Sequence, residues 1–178
     1  NHVINQDDRT VIGDPNPDFT GGMNLRVQYK RFVLDAVAYF SEGNDVYNYQ
    51  RAQLEGMAGL GNQTEAVTNR WRFDDQNTVI PRVTYGDPYG NSRFSDRWIE
   101  DGSYFRLKSV TLSYDIPFRP GFFKSANVYV QGNNLLTLTK YTGYDPEFNA
   151  GISALYQGID LGLFPQFKSV FVGVKLGL

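Results

Sequence analysis

The sequence predicts an all-β chain whose five long antiparallel strands form part of the wall of a large transmembrane β-barrel, with long extracellular loops. Three observations carry that prediction. Five segments of about ten residues alternate apolar and mixed side chains with a period of two, which fits strands and not helices. Their connections alternate between short and long. The composition, with 18 Gly, 12 Tyr and 13 Phe but only 2 Met, favours strands, turns and aromatic interfaces over helix packing.

The first strand is expected over residues 19–29, with Gly21, Met23, Leu25, Val27 and Tyr29 on one face and Thr20, Gly22, Asn24, Arg26 and Gln28 on the other. The second, 32–41, sets Phe32, Leu34, Ala36, Ala38 and Phe40 against Val33, Asp35, Val37, Tyr39 and Ser41. Only Lys30 and Arg31 separate the two, which predicts a tight hairpin without the usual Gly or Asn. The third strand, 104–116, opposes Val110, Leu112, Tyr114 and Ile116 to Ser109, Thr111, Ser113 and Asp115. Its first half carries Arg106 and Lys108 on the otherwise apolar face and is expected to lie beyond the hydrocarbon.

The fourth strand, 127–141, opens with Val128 and Val130 opposite Asn127, Tyr129 and Gln131, and a bulge is expected where the pattern breaks at Gly132, Asn133 and Asn134. The fifth, 167–178, places Val170, Val172, Val174, Leu176 and Leu178 opposite Phe171, Gly173 and Lys175. Ten residues at about 3.3 Å each, tilted near 45°, rise roughly 23 Å, the height of an outer-membrane apolar band. Residues 1–178 are thus expected to be one barrel segment.

The connections at 30–31 and 117–124 are short, whereas 43–103 and 142–166 are long and rich in Gly, Pro, Asn and Asp. Outer-membrane barrels have short periplasmic turns and long external loops, and counting back from a periplasmic final residue puts both long loops outside. Tyr29 and Phe32 flank the first short turn, and Phe118, Phe122 and Phe123 the second, where an interfacial girdle places aromatic rings. A short helix or a coil is expected within Tyr47 to Leu60.

The bulk chemistry excludes several classes. With 17 basic and 19 acidic residues the net charge is -2, so nucleic acid is not expected as a partner. Cysteine is absent, which removes disulfides and thiolate metal sites. No apolar stretch reaches the roughly 18 residues of a spanning helix, which says nothing about barrel strands. A start at Asn1 without Met or a signal pattern fits the tail of a longer chain.

Asn24, Arg26, Gln28, Ser109, Thr111 and Ser113 are the expected lumen-facing residues, and Leu25, Leu112, Val170, Val172 and Val174 the expected lipid-facing ones. Trp71, Tyr85, Tyr89, Trp98 and Tyr156 in the long loops are candidates for stacking on a substrate or packing against a lid protein, with packing of the loops on one another as the competing reading. Asp7 and Asp8 are the candidate ligands for a structural calcium ion in the external loops. No other cofactor is expected. His2 is the sole histidine, and adjacent carboxylates such as Asp74 with Asp75 and Glu100 with Asp101 read as solvated loop groups, so no catalytic residue is assigned. Competing readings are a soluble carbohydrate-binding β-sandwich and an enzyme fragment. Sandwich strands average five or six residues and lack the loop asymmetry.

Several runs, in order, carry a family resemblance. They are 12–19 (IGDPNPDF), 69–71 (NRW), 80–82 (IPR), the long run 97–108 (RWIEDGSYFRLK), 132–139 (GNNLLTLT) and 144–147 (YDPE). Together they span nearly the whole chain, which resembles the C-terminal part of SusC/RagA-type TonB-dependent transporters of the Bacteroidetes outer membrane. That resemblance implies a barrel of about 22 strands, of which this chain supplies five, around an N-terminal plug. It further implies import of oligosaccharides or peptides beneath a SusD-like surface lipoprotein. Energy would be relayed by TonB through the N-terminal part, and the wall would contact membrane lipid and lipopolysaccharide.

Overall fold

The computed structural model describes residues 5–117, 123–148 and 156–177. His2, Phe118, Phe122 and Leu178 lie outside the described residues. In chain order the elements are β1 (Phe19–Tyr29), β2 (Phe32–Glu42), β3 (Asp45–Asn48), α1 (Tyr49–Glu55), β4 (Ile99–Asp101), β5 (Tyr104–Ile116), β6 (Ser125–Thr139), β7 (Ile159–Asp160) and β8 (Ser169–Gly177). The long strands form one antiparallel sheet in the order β1-β2-β5-β6-β8. Each long strand therefore pairs with the next long strand, and β2 meets β5 although 61 residues of loop separate Glu42 from Tyr104.

Tyr29 pairs with Phe32, so Lys30 and Arg31 alone make the first turn. Lys30 takes a φ of 54°, supplying the left-handed backbone that a two-residue hairpin asks of glycine or asparagine. β6 begins two residues earlier and ends two residues sooner than the alternation suggests, because Tyr141 leaves the sheet and donates its hydroxyl to Asp160 at 2.5 Å. β8 begins at Ser169, two residues later than expected.

The pattern break in β6 is a bulge shared with β5. Val110 lies opposite Ala36 and Gly132, yet Leu107 lies opposite Ala38 and Leu136, so Lys108 on β5 and Asn134 with Leu135 on β6 fall outside the regular pairing. Asn134 has a φ of 51° there. The single extra residue in β5 exchanges that strand's faces beyond it, whereas the two unpaired residues in β6 leave its facing unchanged. Arg106 consequently sits opposite Tyr39 and Thr137 on the polar face, and the Lys108 ammonium reaches Glu147. This corrects the expectation that Arg106 and Lys108 lie on the apolar face.

The connection over 43–103 is more ordered than its composition suggests. β3 pairs antiparallel with β4 and parallel with β7, making a three-stranded sheet in the order β4-β3-β7. The helix is confined to α1 because Asn48 caps it, its Oδ1 accepting the Arg51 N–H at 2.9 Å, and Met57, with a φ of 53°, ends the run just past Gly56. Val46, Ala52, Met57, Val67 and Trp98 are buried in this loop layer, and Trp98 has no exposed surface. Its indole N–H donates to the Arg93 carbonyl at 3.2 Å, and the Arg97 guanidinium lies 4.4 Å from its ring. The densest apolar packing is therefore in the loops and not on either face of the large sheet.

Trp98→Ala is expected to cost the loop layer about 3–5 kcal/mol, the usual penalty for emptying a buried aromatic site. Hydrogen exchange should accelerate over β3, α1 and β4 and stay unchanged in mid-strand β5.

Candidate functional site

Cross-strand pairing divides the large sheet into two chemically distinct faces. On one, successive rows read Asn24–Val37–Ser109–Asn133–Ser169, Arg26–Asp35–Thr111–Gln131–Phe171 and Gln28–Val33–Ser113–Tyr129–Gly173. The expected lumen-facing six thus share one side. Arg26 and Asp35 pair there at 3.6 Å. On the other, the rows read Leu25–Ala36–Val110–Gly132–Val170, Val27–Leu34–Leu112–Val130–Val172 and Tyr29–Phe32–Tyr114–Val128–Val174. The expected lipid-facing five share that side.

The apolar side is bare. Leu25 and Leu112 are each 49% exposed, Val170 67%, Val172 78% and Val174 61%. A contiguous apolar face with this exposure is unusual on a water-soluble monomer and marks a surface that meets another apolar phase or partner. At its turn end the Phe32 and Tyr114 rings pack with centroids 4.7 Å apart.

The polar side carries a charge cluster at its loop end. Arg106 is 2% exposed, and its guanidinium donates to Thr137 Oγ1 at 3.1 Å, Glu147 Oε2 at 2.8 Å and the Asp145 carboxylate. Asp145 also accepts the N–H of Glu147 at 2.9 Å and of Gln166 at 2.8 Å, so this arginine helps to fasten the loop after β6 to the sheet. Lys108 binds the same Glu147. Two cations face two carboxylates, and a buried cation so surrounded meets the condition under which a charge is tolerated away from water. Beside the cluster opens a recess of about 410 Å³ whose walls include Gly22, Asn24, Tyr39, Tyr104, Lys108 and Glu147.

A second polar hub ties the loop layer together. Glu100 Oε1 accepts from Arg51 at 2.8 Å, Asn48 at 3.2 Å and the Thr142 hydroxyl at 2.9 Å, while Oε2 accepts the Thr142 N–H at 2.9 Å. Burial alone pushes the Glu100 carboxyl up, but the Thr142 donors and the Arg51 guanidinium outweigh it and hold it below the ordinary value. Arg51 also reaches Glu55 at 3.1 Å, and Glu55 accepts the Thr64 hydroxyl at 3.1 Å. Burial, then the hydrogen bond to Asp160, pushes the Tyr141 hydroxyl upward, keeping it a donor.

The loop aromatics divide. Trp98 is fully buried, so it is corrected from a surface contact to the centre of the loop core. Trp71 is half-buried with Arg82 at 5.9 Å from its ring. Tyr85, Tyr89 and Tyr156 are exposed at 77%, 73% and 42%. Asp7 and Asp8 are exposed, and Asp8 accepts the Asn5 N–H at 2.7 Å. Among the described residues no three His, Cys, Asp or Glu side chains gather as a metal site would require.

The Arg106, Lys108, Asp145 and Glu147 cluster and the Glu100 hub escape a reading by alternation. The available signal for the first was the pair of cations interrupting an apolar stripe, which marks a change of phase as readily as an exit from hydrocarbon.

No family model matches the chain. Relatives do. It is 34% identical to TonB-dependent receptor P3 of Formosa agariphila over 99% of its own length and 18% of that protein's. It is 27% identical to TonB-dependent receptor SusC of Bacteroides thetaiotaomicron, covering 99% of this chain and 17% of that one. The structure of the RagAB peptide importer in its closed-closed state matches with a TM-score of 0.78 and 28% identity, covering 93% of this chain and 18% of that one. The open-open state matches at 0.77. The chain therefore spans about a fifth of the length of the proteins it matches.

Because the folded Glu100 carboxyl lies below its unfolded value, its contribution is complete above the unfolded value of about 4.3 and is lost as pH falls through the lower, folded one. The protection factor of the Thr142 amide, its exchange rate divided into the intrinsic rate at the same pH, is expected to be flat from pH 8 to 5 and to fall on further acidification. Glu100→Gln should lower that protection at pH 7 and remove its acid dependence, at a cost of about 1 kcal/mol given partial solvent screening.

Proposed function

We infer that this chain, a SusC/RagA-like segment of a TonB-dependent receptor, forms part of the lumen wall of an outer-membrane importer of oligosaccharides or peptides. The observation that carries the reading is the exposed valine-and-leucine face backed by a polar one along strands of 9 to 15 residues. Lipid is the surroundings that such a face suits. Leu25, Leu112, Val170, Val172 and Val174 meet membrane lipid, with lipopolysaccharide at the outer leaflet, while Asn24, Arg26, Gln28, Ser109, Thr111 and Ser113 line the conduit.

A soluble β-sandwich requires a second layer over that apolar face. Among the described residues none is there, since the smaller sheet is built into the loops and its packing includes α1.

The role is structural and conductive. Relatives carry receptor and importer names, and no covalent step is assigned to any residue here. The open edges of β1 and β8 pair with the remainder of the barrel, because each unsatisfied backbone group in hydrocarbon costs several kcal/mol. That remainder encloses the plug and offers the TonB-contacting segment. A SusD-like lipoprotein sits over the loop layer, where Tyr85 and Tyr89 are open to it. The small net charge supports a partner set without nucleic acid.

Facing is testable by charge insertion in the intact transporter. Leu112→Arg is expected to destabilise by about 2–4 kcal/mol, as charge near the membrane midplane does, and Ser113→Arg by less than about 1 kcal/mol. Heat-modifiability and folded yield in outer-membrane fractions report the difference, and equal penalties would refute the facing.

A further inference from the structure

We propose that the turn end of the apolar face is a contact site for the headgroup of an anionic phospholipid, held by Lys30, Arg31 and Lys124. The proposal rests on the reading of this face as lipid-facing and names the lipid that its turn-end margin selects. A strand that leaves hydrocarbon has to pass the ester and phosphate layer. The side chains at that depth decide which headgroups settle there.

Position is the first support. Lys30 belongs to the two-residue turn, and its ammonium lies 5.3 Å from the centre of the Tyr29 ring, which begins the apolar row Tyr29–Phe32–Tyr114. Lys124 precedes β6, but its N–H donates to the Gly177 carbonyl at 2.8 Å and so continues the ladder by one residue. A period of two then sets it on the side of Ala126 and Val128, just beyond the apolar row Ile116–Ala126–Leu176. Arg31 completes the first turn, its carbonyl accepting the Asp115 N–H at 2.9 Å. All three cations are exposed. A long cationic side chain at such a margin lays its carbons along apolar surface and holds its charge in the polar layer.

Charge is the second. Among the described residues none of the three cations has a carboxylate within ion-pair distance. The neighbouring acids belong to the polar side, where Asp115 takes the side-chain amide of Asn127 at 2.7 Å and Asp35 pairs with Arg26. At the loop end of the apolar face the balance differs, for Phe19 stands opposite Glu42, and Lys140 has Asp101 within electrostatic reach. Along the margins of this face the unmatched positive charge is therefore at the turn end. A zwitterionic headgroup brings its own ammonium to offset its phosphate, whereas a phosphatidylglycerol-type headgroup presents the phosphate uncompensated, so a cationic margin favours the second. The exposed rings of Tyr29 and Phe32 supply the surface on which the glycerol and first acyl carbons rest.

The test uses the full-length transporter in phosphatidylcholine vesicles that carry a trace of photoactivatable lipid, its diazirine next to the glycerol and its headgroup either phosphatidylglycerol or phosphatidylcholine. After irradiation, mass spectrometry of peptic peptides locates and quantifies the attached lipid. Peptides across 29–32 and 124–128 are expected to take phosphatidylglycerol over phosphatidylcholine by about fivefold, the preference that one cation near an anionic headgroup supplies. Lys30→Gln/Arg31→Gln/Lys124→Gln should bring the two headgroups to parity there. Lys30→Gln alone should lower the preference at the first turn only, and Lys30→Arg should keep it. Peptides across 170–174 should take both headgroups equally in every variant. Heat-modifiability checks folding, and the single variants carry the test if the triple one folds poorly. Excess inorganic phosphate at matched ionic strength should leave the preference in place.

Equal labelling of the turn peptides by the two headgroups overturns the site, and so does an undiminished preference in the variants that remove a cation. Loss of the preference to inorganic phosphate makes this a free-anion site and overturns the lipid assignment. Any of these results, with 170–174 still labelled, leaves the importer reading intact. Absence of labelling at 170–174 by either lipid would instead defeat the lipid-facing wall on which that reading stands.

Discussion

The rest of the structure depends on the pairing register of the five long strands. Because side chains alternate with a period of two, fixing one cross-strand pair fixes the facing of every residue until a bulge intervenes. From Tyr29↔Phe32 to Asn24↔Val37 the rows run unbroken across all five strands, and they sort leucine and most of the valine to one side and serine, threonine, asparagine and glutamine mainly to the other. A strand that slipped by one residue would put its polar side chains among the valine and leucine rows, so the register is strongly specified.

Stability is distributed in an unusual way for a chain of this size. Apolar burial is concentrated in the loop layer around Trp98, Val46 and Ala52, while the large sheet keeps both faces accessible. The loop layer is joined to the sheet by charge and hydrogen bonds: Glu100 reaches Thr142 just past β6, and Arg106 reaches Asp145 and Glu147. Removing one partner of such a buried group leaves an uncompensated charge, which makes these contacts stringent in position even where their net energy is modest. The loops are thereby held in one arrangement above the wall.

The long strands were legible in the sequence because alternation over ten residues is a strong signal, and the β6 bulge announced itself at Gly132–Asn134. The matching irregularity in β5 has a more ambiguous mark. Arg106 and Lys108 interrupt the stripe of Val110 and Leu112, but without Gly or Asn at that point an unbroken period places both cations on the wrong face. β3, β4 and β7 are two to four residues long, too short for any period, and their pairing joins residues far apart in the chain. For Trp98 the sequence leaves ligand contact and packing between loops both open, and the packing of α1 against the turn at Asp96–Trp98 decides for the second. Glu100 next to Asp101 looked solvated, since its donors come from residues 48, 51 and 142.

The extra residue at Lys108 changes how the sheet can diversify. Below it, altering either face means replacing side chains one at a time. Gaining or losing one residue there turns over the upper part of β5 while β2 and β6 keep their facing, which delivers a cation such as Arg106 to the polar side and leaves the apolar rows beneath untouched.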